Sequence, residues 1–281
     1  MSAEIKLIAS DVDGTLVKDS SREVCDEMIE VVRDLVDAGY QFVVASGRQY
    51  GSTRKMFERT GRKLHYIAEN GAHIIINGEN YAVTKMDRNY VEEIMADLRA
   101  LYPQNCHVVA STAKGCFLES KDQSFIDLIT NEYRNDVTLT DDILAEDVDI
   151  IKLAVYKKDN IRPIGESLLI PKWKDKVKTT MAGEEWVDFM DKSVDKGNAL
   201  RTIQEALGIS KEETMSFGDN NNDLGLMLAA EESYAVENAV EDVKKAAKHI
   251  CKSYTEKGVY HVLHDMLKEK EEIACLNLTK Q

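Results

Sequence analysis

Cysteine is scarce in this sequence of 281 residues, and no two cysteines form a Cys-x-x-Cys pair. An odd and scattered set argues against a disulfide framework and against a structural zinc site. We therefore expect free thiols at all five positions. They are Cys25, Cys106, Cys116, Cys251 and Cys275.

Long apolar runs and excess positive charge are also missing. No stretch approaches the roughly 18 apolar residues of a membrane span, and residues 1–6 lack the layout of a secretory signal. We expect a cytoplasmic protein with no membrane partner. The formal net charge of −14 opposes a general role in nucleic-acid binding, because phosphate backbones need a basic face. It does not oppose a small phosphorylated ligand, since a local group of cations can outweigh the global charge.

Strands and helices alternate at both ends of the sequence. Apolar runs at 5–9 and 41–45 indicate buried strands, with an apolar helical stripe over 24–36 between them. Ser20 or Ser21 is a candidate cap for that helix. The alternation resumes at Lys196 and ends with a helix at 258–268, beyond which 271–281 are expected to be peripheral. Repeated strand–helix units predict a parallel sheet with helices on both faces.

The rhythm changes in the middle of the chain. Asn77-Gly78 is a hairpin signal, and the helix-strand-strand order that follows is typical of an α+β module with an antiparallel sheet. The sequence thus predicts an α/β fold. A doubly wound parallel core is formed by 1–84 and 190–281, and an α+β module of 85–189 is inserted into it. The predicted elements of this module are helices at 87–101, 123–133 and 161–169 and strands at 106–110, 116–119, 150–156, 177–181 and 186–190.

Two carboxylates end the first predicted strand. Asp11 and Asp13 follow an apolar run directly and precede Gly14-Thr15. Ligands bind beyond the carboxyl ends of strands in an open parallel sheet, and two adjacent acids repel unless a cation lies between them. An acidic turn is the alternative. Because Asp-x-Asp-Gly-Thr arises by chance in well under about 1% of chains of this length, we favour a functional site.

Three further positions lie at predicted strand ends or helix starts. Ser46 follows the second strand, Lys196 begins a helix, and Asp219 and Asp223 flank a run of asparagines. Each has an ordinary explanation by itself: Ser46 in a turn, Lys196 on a solvated helix, and a helix cap at Asn222 or Asp223. Together they supply a nucleophile, an acid and base, a hydroxyl donor, a cation and metal ligands.

The sequence resembles the haloacid dehalogenase-like hydrolases, and in particular their Cof-type phosphatase group. The matching motifs occur in the expected order over essentially the whole chain. They are Asp11-Val12-Asp13-Gly14-Thr15-Leu16, Ser46-Gly47-Arg48, Glu69-Asn70-Gly71-Ala72, Lys196-Gly197 and Gly218-Asp219-Asn220-Asn221-Asn222-Asp223.

The resemblance implies a mechanism. Asp11 would attack phosphorus and form an aspartyl-phosphate, and Asp13 would protonate the leaving group and then activate water. Mg²⁺ would bind the carboxylate of Asp11, the backbone carbonyl of Asp13, and Asp219, with Asp223 supporting directly or through water. Lys196 would neutralise Asp11 and the phosphoryl group.

Further residues would contact the phosphoryl group. Ser46 would donate a hydrogen bond, and backbone N–H groups near Gly47 would add donors. For Arg48 the alternatives are a contact with the substrate phosphate or the cap, and an outward salt bridge. Asn70 serves a tight turn or contacts substrate, and Asn222 orients the ligands around Asp219 or caps a helix.

The resemblance implies a Mg²⁺-dependent phosphatase for a small phosphorylated metabolite such as a sugar phosphate, a nucleotide or a phosphorylated cofactor. The inserted module would act as a cap that excludes water and selects the leaving group. A phosphomutase or phosphotransferase with the same intermediate is an alternative. A non-catalytic phospho-ligand-binding or receiver-like protein is another, although Asp13 and the large cap argue against it.

Overall fold

The chain forms two β-sheets, and the computed structural model describes residues 3–18 and 21–278, with the backbone alone over 271–278. The strands in chain order are β1 (Leu7–Asp11), β2 (Gln41–Ala45), β3 (His65–Ala68), β4 (His73–Ile76), β5 (Glu79–Val83), β6 (Cys106–Thr112), β7 (Gly115–Leu118), β8 (Val137–Leu139), β9 (Lys152–Lys157), β10 (Lys178–Ala182), β11 (Trp186–Met190), β12 (Thr214–Gly218), β13 (Glu232–Val236) and β14 (His249–Cys251). The α-helices are α1 (Asp26–Asp37), α2 (Tyr50–Phe57), α3 (Arg88–Arg99), α4 (Gln123–Asp127), α5 (Arg162–Ile164), α6 (Ile170–Trp173), α7 (Lys196–Leu207), α8 (Leu224–Ala229), α9 (Glu241–Ala246) and α10 (Gly258–Leu278).

The larger sheet has the strand order β14-β13-β12-β1-β2-β3-β4-β5. Its strands run parallel from β14 to β3, whereas β4 and β5 are antiparallel. Asn77 and Gly78 join β4 to β5 with φ angles of 53° and 77°, which is the backbone that a two-residue hairpin turn requires. The predicted hairpin is therefore confirmed.

β1 lies in the middle of the larger sheet, and all five of its residues are buried. A strand covered by helices on both faces buries both sides, which explains an unbroken apolar run instead of an alternating one. Leu7, Phe42 and Phe217 belong to one apolar cluster from β1, β2 and β12. The predicted α/β class with a parallel sheet is confirmed, and the carboxyl ends of these three adjacent strands lie at one edge.

The smaller sheet has the order β10-β11-β9-β6-β7-β8. It is antiparallel except for the parallel pair β7 and β8, so the predicted antiparallel sheet is confirmed apart from this pair. The sequence pattern predicts no strand at β8, because its three residues include the exposed Thr138 and Leu139 and show no alternation. Pairing with β7 supplies the strand conformation instead.

Helices cover both faces of the smaller sheet. Leu153 and Val155 of β9 pack in a cluster that includes residues of α3, whereas Ala154 and Tyr156 pack in a second cluster with Phe125 of α4. This alternation follows from the two-residue period of a strand. The insertion of an α+β unit between β5 and α7 is confirmed.

A fourth, small apolar cluster lies between the two sheets. It consists of Ala72, Ile151, Met190 and Val194, so it joins the turn before β4 to the ends of β9 and β11. The exact division into 1–84 with 190–281 and 85–189 stays a prediction. β11 runs one residue beyond the predicted boundary.

Several helices differ from prediction at their ends. α1 begins at Asp26 after Cys25, with no side-chain cap, so Ser21 does not cap it, and Ser20 lies outside the described residues. α10 continues to Leu278 instead of ending at 268. Residues 279–281 lie outside the described part of the chain.

Two predicted helices of the smaller-sheet unit are interrupted. The predicted helix at 161–169 consists of α5 and a π-helical turn at Gly165–Leu169, and α6 continues it. Pro171 lacks the N–H that a regular helix would use, which favours the irregular turn that precedes it. Pro163 lies in the first turn of α5, where proline is tolerated. The predicted helix at 123–133 likewise continues from α4 into a π-helical turn at Leu128–Glu132.

The cysteines whose side chains the structure describes are free thiols, as predicted. They are Cys25, Cys106, Cys116 and Cys251. Within residues 3–18 and 21–278, no helix combines the length and the apolar character needed to cross a bilayer.

Candidate active site

The predicted site residues meet at the carboxyl edge of the larger sheet. Asp11 is the last residue of β1, Ser46 follows β2, and Asp219 follows β12. Because these three strands are neighbours, their ends lie side by side. Lys196 reaches the same place from the first turn of α7.

Lys196 is the central cation of the site. Its Nζ donates to Oδ1 of Asp11 at 2.6 Å and to Oδ1 of Asp223 at 2.7 Å. The lysine side chain is completely buried. Burial lowers its pKa, but the two carboxylates outweigh burial and raise the pKa of Lys196 above its ordinary value. The ammonium is therefore charged at neutral pH.

Three carboxylates surround that single cation. Oxygens of Asp11, Asp219 and Asp223 lie within 4.8 Å of one another. Burial and the charge of Asp223 raise the pKa of Asp11 well above its ordinary value, and the same two causes raise the pKa of Asp219 to about 7. The group carries more negative charge than Lys196 can balance, which is the setting that a further cation would stabilise.

The free carboxylate oxygen of Asp11 indicates that a ligand binds at this site. Oδ1 of Asp11 binds Lys196, whereas Oδ2 is buried and has no hydrogen-bond partner among the described residues. A buried acceptor without a partner is costly unless a ligand or water satisfies it. Closely spaced hard oxygen atoms fit Mg²⁺. The side chain of Asp13 is not part of this carboxylate group in the described chain.

Gly14 and Thr15 fix the position of Asp219. Gly14 has φ +80°, and a Cβ there would lie 2.3 Å from Oδ2 of Asp219, so only glycine allows this approach. Oγ1 of Thr15 donates to Oδ1 of Asp219 at 3.2 Å. Nδ2 of Asn238 donates to the carbonyl of Gly14 at 2.7 Å and holds the turn in place.

Asp223 organises the loop between β12 and α8. Its Oδ2 accepts the N–H groups of Asp219 and Asn220, both at 3.1 Å. Asn220, rather than Asn222, caps the short helical turn Asn221–Asp223, and α8 has no side-chain cap. The interpretation of Asn222 as a helix cap is therefore wrong. Asp223 joins the loop to Lys196 while it keeps the loop folded.

Arg48 binds Asp13 instead of pointing outward. Its Nε donates to Oδ2 of Asp13 at 2.7 Å, and Nη2 donates to Oδ1 of the same carboxylate. Nη1 donates to the carbonyl of Ser21 at 2.7 Å. A two-point guanidinium contact fixes the plane of a carboxylate. The outward salt bridge considered for Arg48 is wrong, because its carboxylate partner is the predicted acid and base.

Ser46, Gly47, Asn70 and Asn222 form the other side of the site. Ser46 is buried, and its Oγ accepts the N–H of Arg48 at 3.1 Å. Nδ2 of Asn222 donates to Oδ1 of Asn70 at 3.0 Å. Asn70 has φ +57°, which agrees with the tight turn expected there. A Cβ on Gly47 would approach the Asn70 amide at 3.1 Å.

A cavity of about 940 Å³ lies between these residues and the smaller sheet. On the side of the larger sheet it is lined by Asp11, Asp13, Arg48, Asn70, Asp219 and Asn222. From the smaller-sheet unit, Tyr133, Lys152 and Trp186 are among its lining residues. These predicted site residues therefore face a space large enough for a small metabolite. Ser46, Lys196 and Asp223 are not among the residues that line it.

Sequence reasoning missed several polar residues of the site. Thr15 and Asn238 have the hydrogen bonds described above, whereas Glu69 and Lys152 form a buried ion pair. Gln49 is buried beside the cavity, and its amide has no hydrogen-bond partner among the described residues. Thr15 and Glu69 lie in motifs that signalled the site. The other three have no such signal, because their position depends on tertiary packing.

A family model described as haloacid dehalogenase-like hydrolase matches residues 8–263. The chain belongs to the haloacid dehalogenase-like hydrolase family. A relative from Escherichia coli (strain K12), named 5-amino-6-(5-phospho-D-ribitylamino)uracil phosphatase, is 26% identical over 267 residues, which cover 95% of this chain and 97% of the relative. A phosphoglycolate phosphatase of Methanobrevibacter smithii is 27% identical over 259 residues, covering 91% and 95%. A crystal structure from Eubacterium rectale matches with a TM-score of 0.82 and 37% identity, covering 93% of this chain and 98% of that one.

These similarities extend over nearly the whole length of this haloacid dehalogenase-like hydrolase. The predicted Cof-type membership is confirmed, and so is the predicted enzyme class, a phosphoric monoester hydrolase. The roles of single residues and the identity of the metal stay predictions.

Proposed function

We propose that this protein is a Mg²⁺-dependent phosphatase that hydrolyses small phosphomonoesters through an aspartyl-phosphate on Asp11. The observation that carries the proposal is the asymmetry of the Asp11 carboxylate. Nζ of Lys196 donates to Oδ1 at 2.6 Å, whereas Oδ2 has no hydrogen-bond partner among the described residues. Asp11 lines the cavity. A carboxylate held in this way presents one oxygen to a phosphoryl group.

Mg²⁺ would be held by the carboxylates of Asp11 and Asp219 and by the backbone carbonyl of Asp13, with Asp223 in support. The excess of carboxylates over cations among these buried groups favours this assignment. When bound, the ion offsets the repulsion between Asp11 and an anionic phosphate and stabilises the charge that develops during transfer.

The residues of the chain perform two displacements. Oδ2 of Asp11 forms a bond to phosphorus while the bond to the leaving oxygen breaks, and Asp13 gives its proton to that oxygen. Asp13 then takes a proton from water, whose oxygen bonds to phosphorus as the bond to Asp11 breaks. Phosphate and the alcohol leave, and both carboxyl groups return to their initial states. Arg48 contacts both oxygens of the Asp13 carboxylate and would orient it, and one of the two contacts opens when Asp13 carries the proton.

Lys196 opposes the rise in the pKa of Asp11 that burial and Asp223 cause, and so favours the ionised form of this carboxylate. We assign contacts with the phosphoryl oxygens to the hydroxyl of Ser46 and to backbone N–H groups near Gly47. The amides of Asn70 and Asn222, which contact one another at 3.0 Å, would bind the outer part of the same group. Arg48 supports the phosphate through Asp13 in this proposal, rather than by direct contact.

The substrate we propose is a small phosphorylated metabolite whose leaving group occupies the cavity. The Escherichia coli and Methanobrevibacter smithii relatives are named for substrates of this kind, and the cavity volume of about 940 Å³ can hold such a molecule. We assign residues 85–189 as the cap that covers the site and residues 1–84 and 190–281 as the catalytic core. Transfer of the phosphoryl group to water makes the enzyme a phosphatase rather than a mutase.

The direct test measures phosphate release from a chromogenic ester and from a panel of phosphorylated metabolites, with Mg²⁺ and with EDTA. Asp11→Asn should abolish turnover with the fold intact. The matched control is Asp141→Asn, which changes an exposed aspartate and should leave turnover unchanged. Absence of hydrolysis by the folded wild type would refute the proposal and favour a phospho-ligand-binding protein, whereas an isomerised product would indicate a mutase.

A further inference from the structure

We call Ser46-Gly47-Arg48 the 46–48 loop. Each of its three backbone carbonyls accepts a hydrogen bond from a residue outside the loop. The carbonyl of Ser46 accepts the N–H of Asn70 at 3.0 Å, and that of Arg48 accepts the N–H of Glu69 at 2.9 Å. The carbonyl of Gly47 accepts Nζ of Lys152 at 3.1 Å. The first two donors follow β3 in the larger sheet, whereas Lys152 belongs to β9 of the smaller sheet.

Lys152 is a buried cation placed between the two sheets. Its residue exposure is 8%, and it forms an ion pair with Glu69, which is 1% exposed. Asp188 of β11 lies 3.7 Å from the same ammonium. Lys152 pairs with Met190 across the strands, so Lys152 and Asp188 share one face of the smaller sheet. Carboxylates from both sheets therefore hold this lysine against the 46–48 loop.

The turn that carries Glu69 is strained. Glu69 and Asn70 have φ angles of 49° and 57°, a left-handed conformation that asparagine adopts readily but that is unfavourable for glutamate. Such a conformation persists only where surrounding contacts fix it. Here those contacts are the two N–H bonds to the 46–48 loop and the ion pair with Lys152. The turn, the loop and the lysine thus form one unit.

We propose that Lys152 is a positioning residue that couples the smaller sheet to the 46–48 loop. Its ammonium fixes the loop in the geometry that presents Ser46 and Arg48 to the site, and this geometry is complete only while the smaller sheet contacts the larger one. The catalytic consequence rests on the proposed function, because Arg48 in turn orients Asp13.

The test compares Lys152→Met and Lys152→Arg with the wild type. Lys157→Met is the matched control, because Lys157 lies on the same strand and also donates to a backbone carbonyl, that of Gln104 at 2.7 Å. kcat and KM are measured for two phosphate esters with different leaving groups. Hydrogen–deuterium exchange of the peptides that contain the 46–48 loop gives a readout that does not need turnover.

We expect Lys152→Met to lower kcat by ~100-fold, the size of effect that misplaced catalytic groups produce. KM should change little, and the loss should be the same for both esters. Exchange should accelerate in the 46–48 loop, and Lys152→Arg should recover most of kcat because it keeps a cation near Glu69. If Lys152→Met does not fold, the double variant Lys152→Met/Glu69→Gln, which removes both charges of the Lys152–Glu69 pair, is measured instead.

Two results would overturn the proposal. One is that Lys152→Met shows the exchange of the wild type in the 46–48 loop and a kcat equal to that of Lys157→Met. The other is a rise in KM that differs between the esters, which would show that Lys152 binds the leaving group directly. If the wild type hydrolyses neither ester, the proposed function fails, and the exchange of the loop alone decides whether Lys152 positions it.

Discussion

Lys196→Met should destabilise the protein strongly, because it removes the only cation that contacts the Asp11 and Asp223 carboxylates among the described ion pairs. The side chains of Lys196 and Asp223 are completely buried, and that of Asp11 is 6% exposed. Removing one partner of a buried ion pair costs about 3–5 kcal/mol, because the other charge is left without compensation. For a chain of this size this corresponds to a fall in Tm of about 6–20 °C.

The loss of stability should depend on pH in a defined direction. Burial and the neighbouring Asp223 already raise the pKa of Asp11, and Lys196 opposes that rise. Without Lys196 the pKa of Asp11 in the folded protein rises further above its unfolded value, so folding takes up a proton. The destabilisation is then fully present at high pH and shrinks as the pH falls through the folded pKa.

The assay is thermal denaturation followed by circular dichroism in EDTA, at pH 8 and at pH 5. Lys244→Met serves as the control, since Lys244 forms a surface pair with Glu241 at 3.4 Å and such pairs contribute at most about 1 kcal/mol. A loss below about 1 kcal/mol for Lys196→Met at pH 8 would contradict the reasoning from buried-pair energetics. So would a loss that grows on acidification.

Three other predictions concern the same site. Asp13→Asn should slow or trap the aspartyl-phosphate while Mg²⁺ affinity persists, as measured by quench-flow and metal titration, and a loss of metal affinity alone would exclude the assigned acid and base role. Gly14→Ala should lower the free energy of unfolding by about 2 kcal/mol or more and weaken Mg²⁺ binding. In the control Gly208→Ala, the glycine has φ +65° and open space around it, and Mg²⁺ binding should stay intact. Metal-free protein should lose stability as the pH rises from 3.8, the ordinary pKa of an aspartate, toward about 7, because folding raises the pKa of Asp219 to about 7. The measurement is a pH titration of Tm in EDTA, and a gain in Tm over this range would refute the prediction.

The gathering of the main site residues could be predicted because it depends on topology alone. Asp11, Ser46 and Asp219 each follow a buried strand, and adjacent parallel strands bring such positions to one edge. Lys196 needed only the additional inference that its helix begins beside that edge. The hairpin at Asn77-Gly78 was predictable for a different reason, since its turn conformation is encoded by two neighbouring residues.

The remaining contacts depend on how distant segments pack, and the sequence carries no local signal for them. The pairing of Arg48 with Asp13 requires a particular approach of two loops. The ion pair of Lys152 with Glu69 requires the smaller sheet to be placed over the larger one. β8 was not predicted, because pairing with β7, rather than its own sequence pattern, determines its strand conformation.

The small apolar cluster between the sheets lies apart from the hydrophobic packing of each sheet. Its four residues belong to neither of two much larger hydrophobic clusters, which share no member. Substitutions on the smaller sheet can therefore reshape its side of the cavity without disturbing the packing behind Asp11. One half of the molecule can keep a single chemistry constant, and the other can diversify the compounds on which that chemistry is performed.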